Sequence, residues 1–327
     1  MTVVNKGMIV LGIGKQSAKG TIAANPTYIF GVESGGINVT PEHTPIELTA
    51  GERARYGAIR TAVEEGADFT TFARVGSVGD FLMGVLGAVT TTGASDPYTH
   101  AFTLGATLPW YTIFERLDAV ITAVTDCKMD AVEFTWTENK PLMVHVTAGG
   151  LTFSLPATFT GTTDEIASGA RLTPVGGTFK LDVDSATAAT ASVKGGSIKF
   201  TNANDRGRFS GSLEGGYTDE GLATAEVSLT VRPAADLADW KAMVLTTGGT
   251  AVGPGTVAGS FEVKFVDSAG ATHHLTFAGL NVDFMYALPE ASPDFGPWET
   301  DLAGICYMPA AGTSPITATL VNAIASY

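Results

Sequence analysis

Apolar and polar residues alternate with a period of two along most of this chain. Over residues 132–137, Val132, Phe134 and Trp136 fall on one side and Glu133, Thr135 and Thr137 on the other, the pattern of a half-buried strand. Beyond Asn139 and Lys140, Leu142, Val144 and Val146 alternate with Met143, His145 and Thr147, so the two runs predict a hairpin turning near Pro141. Four later runs repeat the pattern: 178–184 with Phe179, Leu181 and Val183 inward, 197–201 with Ile198 and Phe200, 223–231 with Ala225, Val227, Leu229 and Val231, and 261–266 with Phe261, Val263 and Phe265. Their outward positions hold Lys180, Asp182, Lys199, Glu226, Ser228, Glu262 and Lys264. Strands that are apolar on one side only belong to antiparallel sheets packed on one face, as in sandwiches and barrels.

Two segments carry helical spacing instead. Ser77 is placed as an N-cap with Asp80 three residues on, and Phe81, Leu82, Val85 and Leu86 form one stripe that stops at Gly87. Pro233 suits a first helical position, and Leu237, Trp240, Met243 and Val244 recur at helical spacing as far as Gly248 and Gly249. Each helix follows a β region and leads through a loop into another strand, 98–104 in the first half and 257–266 in the second. That shared order predicts an internal duplication. The chain is expected to be mainly β, of α+β type: two tandem antiparallel β-sandwich or barrel domains, each with one short helix. The predicted boundaries are an N-terminal arm over 1–35, a first domain over 36–160, a Gly/Ser/Thr-rich linker over 161–176 and a second domain over 177–327.

Composition narrows the function. The 327 residues hold 19 Lys+Arg against 33 Asp+Glu, a formal net charge of −14, and no basic patch, which argues against a protein that grips phosphates. The longest nearly apolar run, 81–89, is far shorter than the ~20 residues of a bilayer-spanning helix, and the first residues do not read as an export signal. Cys127 and Cys306 are the only cysteines; both are expected as buried free thiols in a chain made in a reducing compartment such as cytoplasm.

The chemistry-bearing residues form no recognisable constellation. Gly12-Ile-Gly14-Lys15 resembles part of a phosphate loop, but the spacer is short and Gln16 follows where Ser or Thr belongs. His273 and His274 are adjacent on a strand and so face opposite sides, which prevents them from sharing a metal. His43, His100 and His145 are scattered. Glu64-Glu65 and Asp219-Glu220, beside Gly66 and Gly221, read as charged hairpin tips, and Asp182 and Asp184 as one polar strand face. No catalytic residue, cofactor or metal is expected, and the chain is read as a non-enzyme.

The layout also resembles a known family. A glycine-punctuated segment over 6–36 precedes a long hairpin from Ile37-Asn-Val-Thr-Pro to Thr70-Thr-Phe-Ala-Arg74; then come Gly79-Asp-Phe-Leu-Met-Gly-Val-Leu86, the strand Tyr98-Thr-His-Ala-Phe102 and the paired strands of 129–148. This looks like the major tail tube protein of long-tailed bacteriophages, and Ala225-Glu-Val-Ser-Leu-Thr-Val231 with the segment after it is similar to a tube domain again. The resemblance implies a structural virion protein assembled in host cytoplasm. It implies stacked rings of the chain itself, hexameric or, if duplicated, trimeric with pseudo-sixfold symmetry. Tail-tip, tape-measure and terminator proteins are the implied partners, and DNA passes through the lumen without specific binding. No membrane is involved.

Within that expectation an acidic wall lets DNA slide where Lys and Arg would trap it, and Glu133, Thr135, Glu226 and Ser228 are the lumen candidates. Arg53, Arg55 and Arg60, in the hairpin, are the candidates for contact between rings. Two other classes fit the same residues. One is a secreted or surface β-sandwich binding module for carbohydrate or protein; the other is the inner tube of a phage-like injection system with protein cargo.

Overall fold

A computed structural model describes residues 9–46, 57–156, 158–168, 170–182, 189–190, 192–232, 258–285 and 299–327. The first part of the chain builds β1 (Ile9–Lys15), β2 (Tyr28–Gly31), β3 (Ser34–Ile46), β4 (Gly57–Phe72), helix α1 (Val78–Leu86), β5 (Gly87–Thr92), β6 (Tyr98–Leu104), β7 (Tyr111–Leu117), β8 (Val120–Thr137) and β9 (Met143–Gly149). The rest adds β10 (Thr152–Ser154), β11 (Thr163–Asp164), the one-turn α2 (Glu165–Ser168), β12 (Leu172–Asp182), β13 (Ala189–Thr190), β14 (Ser192–Asn202), the small pair β15 (Asp205–Gly207) and β16 (Tyr217–Asp219), β17 (Ala223–Arg232), β18 (Ala258–Asp267), β19 (Gly270–Met285), β20 (Thr300–Cys306) and β21 (Ile316–Asn322). The fold is mainly β.

Seven antiparallel strands form the first layer, in the order β3-β4-β9-β8-β14-β17-β20. The second runs β12-β18-β19-β21-β6-β5. The layers join where the end of β19 pairs with β20. A further sheet, β2-β1-β7-β8-β10, takes the first part of β8, so that strand serves two sheets. Its change of partner falls between Cys127, opposite Tyr111, and Lys128, opposite Gly149. Asp126 sits there at φ 52° and a register shift follows between Met129 and Ala131, the local bends by which one strand turns a corner.

The layers hold together through aromatics that the alternation aims inward. Phe134 of β8 lies 4.9 Å from Phe277 of β19, Phe200 of β14 lies 6.1 Å from the same ring, and Trp136 lies 5.0 Å from Phe265 of β18. Phe81, Leu82, Val85 and Leu86 of α1 are all buried in the same core. Gly87 ends the helix at φ 87°, its N–H bonded to Met83 O. Asn202 of β14 donates to Val85 O and to Met129 O, both at 3.1 Å, and so satisfies one of the carbonyls that a helix end leaves without a partner.

Several expectations meet a different arrangement. Strands from both sides of 161–176 share one sheet through the β8–β14 pairing and one hydrophobic cluster, and residues 172–176 of the expected linker belong to β12. Within the expected arm, β1 and β2 are core strands, with Leu11, Ile13 and Phe30 at most 1% exposed. Ser77 makes no side-chain cap; its N–H donates instead to Glu165 Oε1 at 3.2 Å, so a carboxylate distant in sequence serves α1, and Asp80 is buried. Asp182, expected on a solvent face, is buried, while Phe179 and Leu181 are half-buried against the core. Glu65 is not a hairpin tip: it lies within β4, and it is buried. The helix expected over 233–245, together with Val183 and Asp184, lies outside the described residues.

Candidate functional site

The first layer has one apolar and one polar face, and its register fixes what meets on the polar one. A transverse row runs Thr70 (β4), His145 (β9), Glu133 (β8), Lys199 (β14), Glu226 (β17), Ile305 (β20) and Asp283 (β19). The next row runs Met143, Thr135, Ser197, Ser228, Ala303 and Met285. Glu133, Thr135, Glu226 and Ser228 therefore come together on three adjacent strands, with Glu226 exposed and the other three half-buried. Lys199 stands directly between Glu133 and Glu226 in the register.

Charge on this face is unequal. Asp68, Glu133, Glu226, Asp283 and Asp301 lie over its body against Lys199, and Arg232 and Lys194 gather at one end around Glu299, each 2.8 Å from its Oε1. Those hydrogen bonds hold the Glu299 carboxyl below the usual range. Asp68 is likewise engaged, with His145 Nε2 at 3.1 Å and the Thr147 hydroxyl donating at 3.2 Å. Thr230 Oγ1 donates to Asp301 at 2.7 Å. Glu133, Lys199, Glu226, Met285 and Ile305 line a shallow depression of about 310 Å³.

The hairpin is present as β3 paired with β4 from Ser34–Thr70 out to Ile46–Gly57. β4 is paired to β9 only over 66–72, so the outer part is a two-stranded ribbon beyond the sheet, exposed on both strands over 40–45 and 57–61. Arg60 is exposed there, opposite His43. Arg53 and Arg55 lie outside the described residues.

The remaining candidates resolve into structural roles. Gly12 and Gly14 sit within β1, where a Cβ would come 2.6 Å from Pro26 Cβ and 2.9 Å from Ala23 Cβ, so close packing of the 17–27 loop accounts for them. The Gly20 N–H, which follows that motif, donates to Asp126 Oδ1 at 2.7 Å: a carboxylate of the chain holds the loop. His273 lies 3.5 Å from Asp96 and 3.6 Å from Asp267, whereas half-buried His274 has an unpartnered Nδ1 and is pushed down chiefly by burial. His100 is fully buried, its ring nitrogens 2.8 Å from Thr91 Oγ1 and from Ile324 O. Glu220 is the ion-pair partner of Lys128, whose ammonium also sits 4.2 Å above the Trp110 ring. Cys127 and Cys306 are free and buried, and burial pushes the Cys306 thiol up to about 12. Among the described residues no group of three or more His, Cys, Asp or Glu is arranged to hold a metal ion.

Residue-level reading missed Asp68, Asp283 and Asp301 on the polar face. Alternation marks a polar side for each strand alone, but which strands lie side by side is decided by pairings as distant as β8–β14. The chain matches no protein-family model and no curated protein.

Proposed function

We propose that this chain is a structural virion protein that closes with copies of itself into stacked rings, forming a tail tube whose bore is the polar face of the seven-stranded layer. The single observation that carries the reading is that face: a surface polar over β8, β14 and β17, with carboxylates in excess, that spans both halves of the chain and carries Met143, Ile305 and Met285 toward its sides. Its width supports a ring of three. Seven strands spaced about 4.8 Å apart occupy about 34 Å, so three such faces would close a circle about 32 Å across at the backbone, and six about 64 Å. After side chains, the smaller bore suits one nucleic-acid duplex. Like charges along the wall keep a polyanion moving, because no lysine or arginine cluster faces it over the middle strands.

The β3–β4 ribbon supports the stacking half of the proposal. A two-stranded ribbon is marginal by itself in water and presents unpaired edge groups, both of which contact with a neighbouring ring would remedy. On this reading Arg60, with Arg53 and Arg55, faces acidic groups of the next ring, and the tail-tip, tape-measure and terminator proteins are the further partners. No catalytic step or cofactor is called for.

Negative-stain electron microscopy of the purified protein at rising concentration tests the proposal. Stacked hollow rings with threefold or pseudo-sixfold end-on views are expected. Monomers alone at high concentration, with a tail-tip initiator present, would overturn it in favour of a binding module.

A further inference from the structure

β4 carries a carboxylate where its alternation calls for an apolar residue. Glu65 stands in the inward register of Ala67 and Phe69, is 8% exposed, and has an Oε1 with no hydrogen-bond partner. The place matters: from Gly66 onward β4 is paired on both sides, to β3 and to β9, and Glu65 is the last residue before that support begins. There the ribbon root meets the excursion built from β15, β16 and the turn between them. Val63 N–H donates to Leu213 O at 2.9 Å, Arg208 donates to Val63 O, and Gly150 N–H donates to Glu65 O at 2.9 Å. A cavity of about 210 Å³ lies in this junction, lined by Glu64, Glu65, Leu151, Arg206, Arg208 and Gly215 among others.

We propose that this junction is a proton-controlled clasp, in which neutral Glu65 keeps the 205–217 excursion closed on the ribbon root and ionised Glu65 loosens it. From the excursion, Arg206, Arg208 and Glu214 face the carboxyl; one terminal nitrogen of Arg206 is paired with Asp130 of β8 and one of Arg208 with the Val63 carbonyl, while the Nε of each is buried without a partner. Glu64 is the charged neighbour on β4 itself, β3 opposes Glu65 with Val39, and residues 149–151 bring no charge. Burial, ahead of the attraction of Arg208, pushes the Glu65 carboxyl up to about 7, and Glu214 and Glu64 push the same way. Ionisation therefore falls near neutral pH and adds a third carboxylate beside Glu64 and Glu214, with an oxygen that lacks a partner while the clasp is shut. Opening to water relieves both the desolvation and the repulsion.

The clasp belongs to the free chain and is independent of ring assembly. Amide hydrogen exchange on the full-length protein, corrected for intrinsic rates, tests it at Val63. Protection there is expected to fall by about tenfold between about pH 6 and about pH 8.5, a local opening on the protein-wide scale of such events. Glu65→Gln should hold the acid-side protection at both pH values. Glu214→Gln, which removes a group that raises Glu65, should move the transition to lower pH, a shift that a merely structural role would not produce. The same protection ratio in wild type and Glu65→Gln would overturn the proposal. If Glu65→Gln does not fold, an unmoved midpoint in Glu214→Gln overturns it alone.

Discussion

Single side chains in this molecule act through partners far away in sequence. Lys128, 6% exposed, is tied to Glu220 across 92 residues and stacked over Trp110. A buried ammonium without its carboxylate is costly, so Glu220→Ala should destabilise by on the order of 3 kcal/mol, read as a lowered urea midpoint. An effect below about 0.5 kcal/mol, the scale of a surface change, would show that Lys128 finds water instead. Phe134 is the packing counterpart. It is fully buried between Phe200 at 6.3 Å and Phe277 at 4.9 Å, and Phe134→Ala should cost about 3 to 5 kcal/mol by the same measurement.

At the scale of elements, α1 and the β3–β4 ribbon behave differently because one is enclosed and the other is not. Gly87 ends α1 with a left-handed backbone, and a Cβ there would come 2.6 Å from Thr107 O, so Gly87→Ala should lower stability by about 1 kcal/mol or more in a denaturation series. Deleting 48–62 should leave the body folded, with thermal unfolding close to wild type, yet prevent tube formation; normal tubes from that variant would sink the ribbon's assigned role. Both elements were legible in sequence: the first from its apolar stripe ending at Gly87, the second from the layout of 37–74, where a long hairpin is what the family resemblance implies. What sequence could not supply was their surroundings. Ser77 carries every mark of a cap, yet Glu165, 88 residues later, approaches its N–H. Glu64-Glu65 beside Gly66 looks like a turn, but both residues lie on a strand whose pairing continues for many residues beyond. Local composition reports a residue's preferences, whereas the partner that satisfies them is set by sheet order.

The whole molecule carries an unusual proton balance. Burial pushes Glu65 and Asp80 up to about 7 and raises Glu165 as well. Because these folded-state values exceed those of the unfolded chain, the native state holds protons that the unfolded state releases. For Glu65 and Asp80 the stabilising effect is full below about pH 4 and is lost as pH rises through about 7. The urea midpoint should therefore be higher at about pH 6 than at about pH 8.5, and a midpoint that rises over that interval would contradict these assignments. The same scale decides the central claim. The alternation in 132–137, 197–201 and 223–231 was enough to name Glu133, Thr135, Glu226 and Ser228, and the β8–β14–β17 register brings them onto one face. The claim that this face lines a bore is tested most directly by labelling single cysteines with a bulky maleimide before and after assembly, since both native thiols are buried. Ser228→Cys should react in the free chain and become protected in assembled particles, while Lys264→Cys, on the outer side of β18, should stay reactive in both. Undiminished labelling of Ser228→Cys in assembled particles, with Lys264→Cys protected instead, would contradict the account.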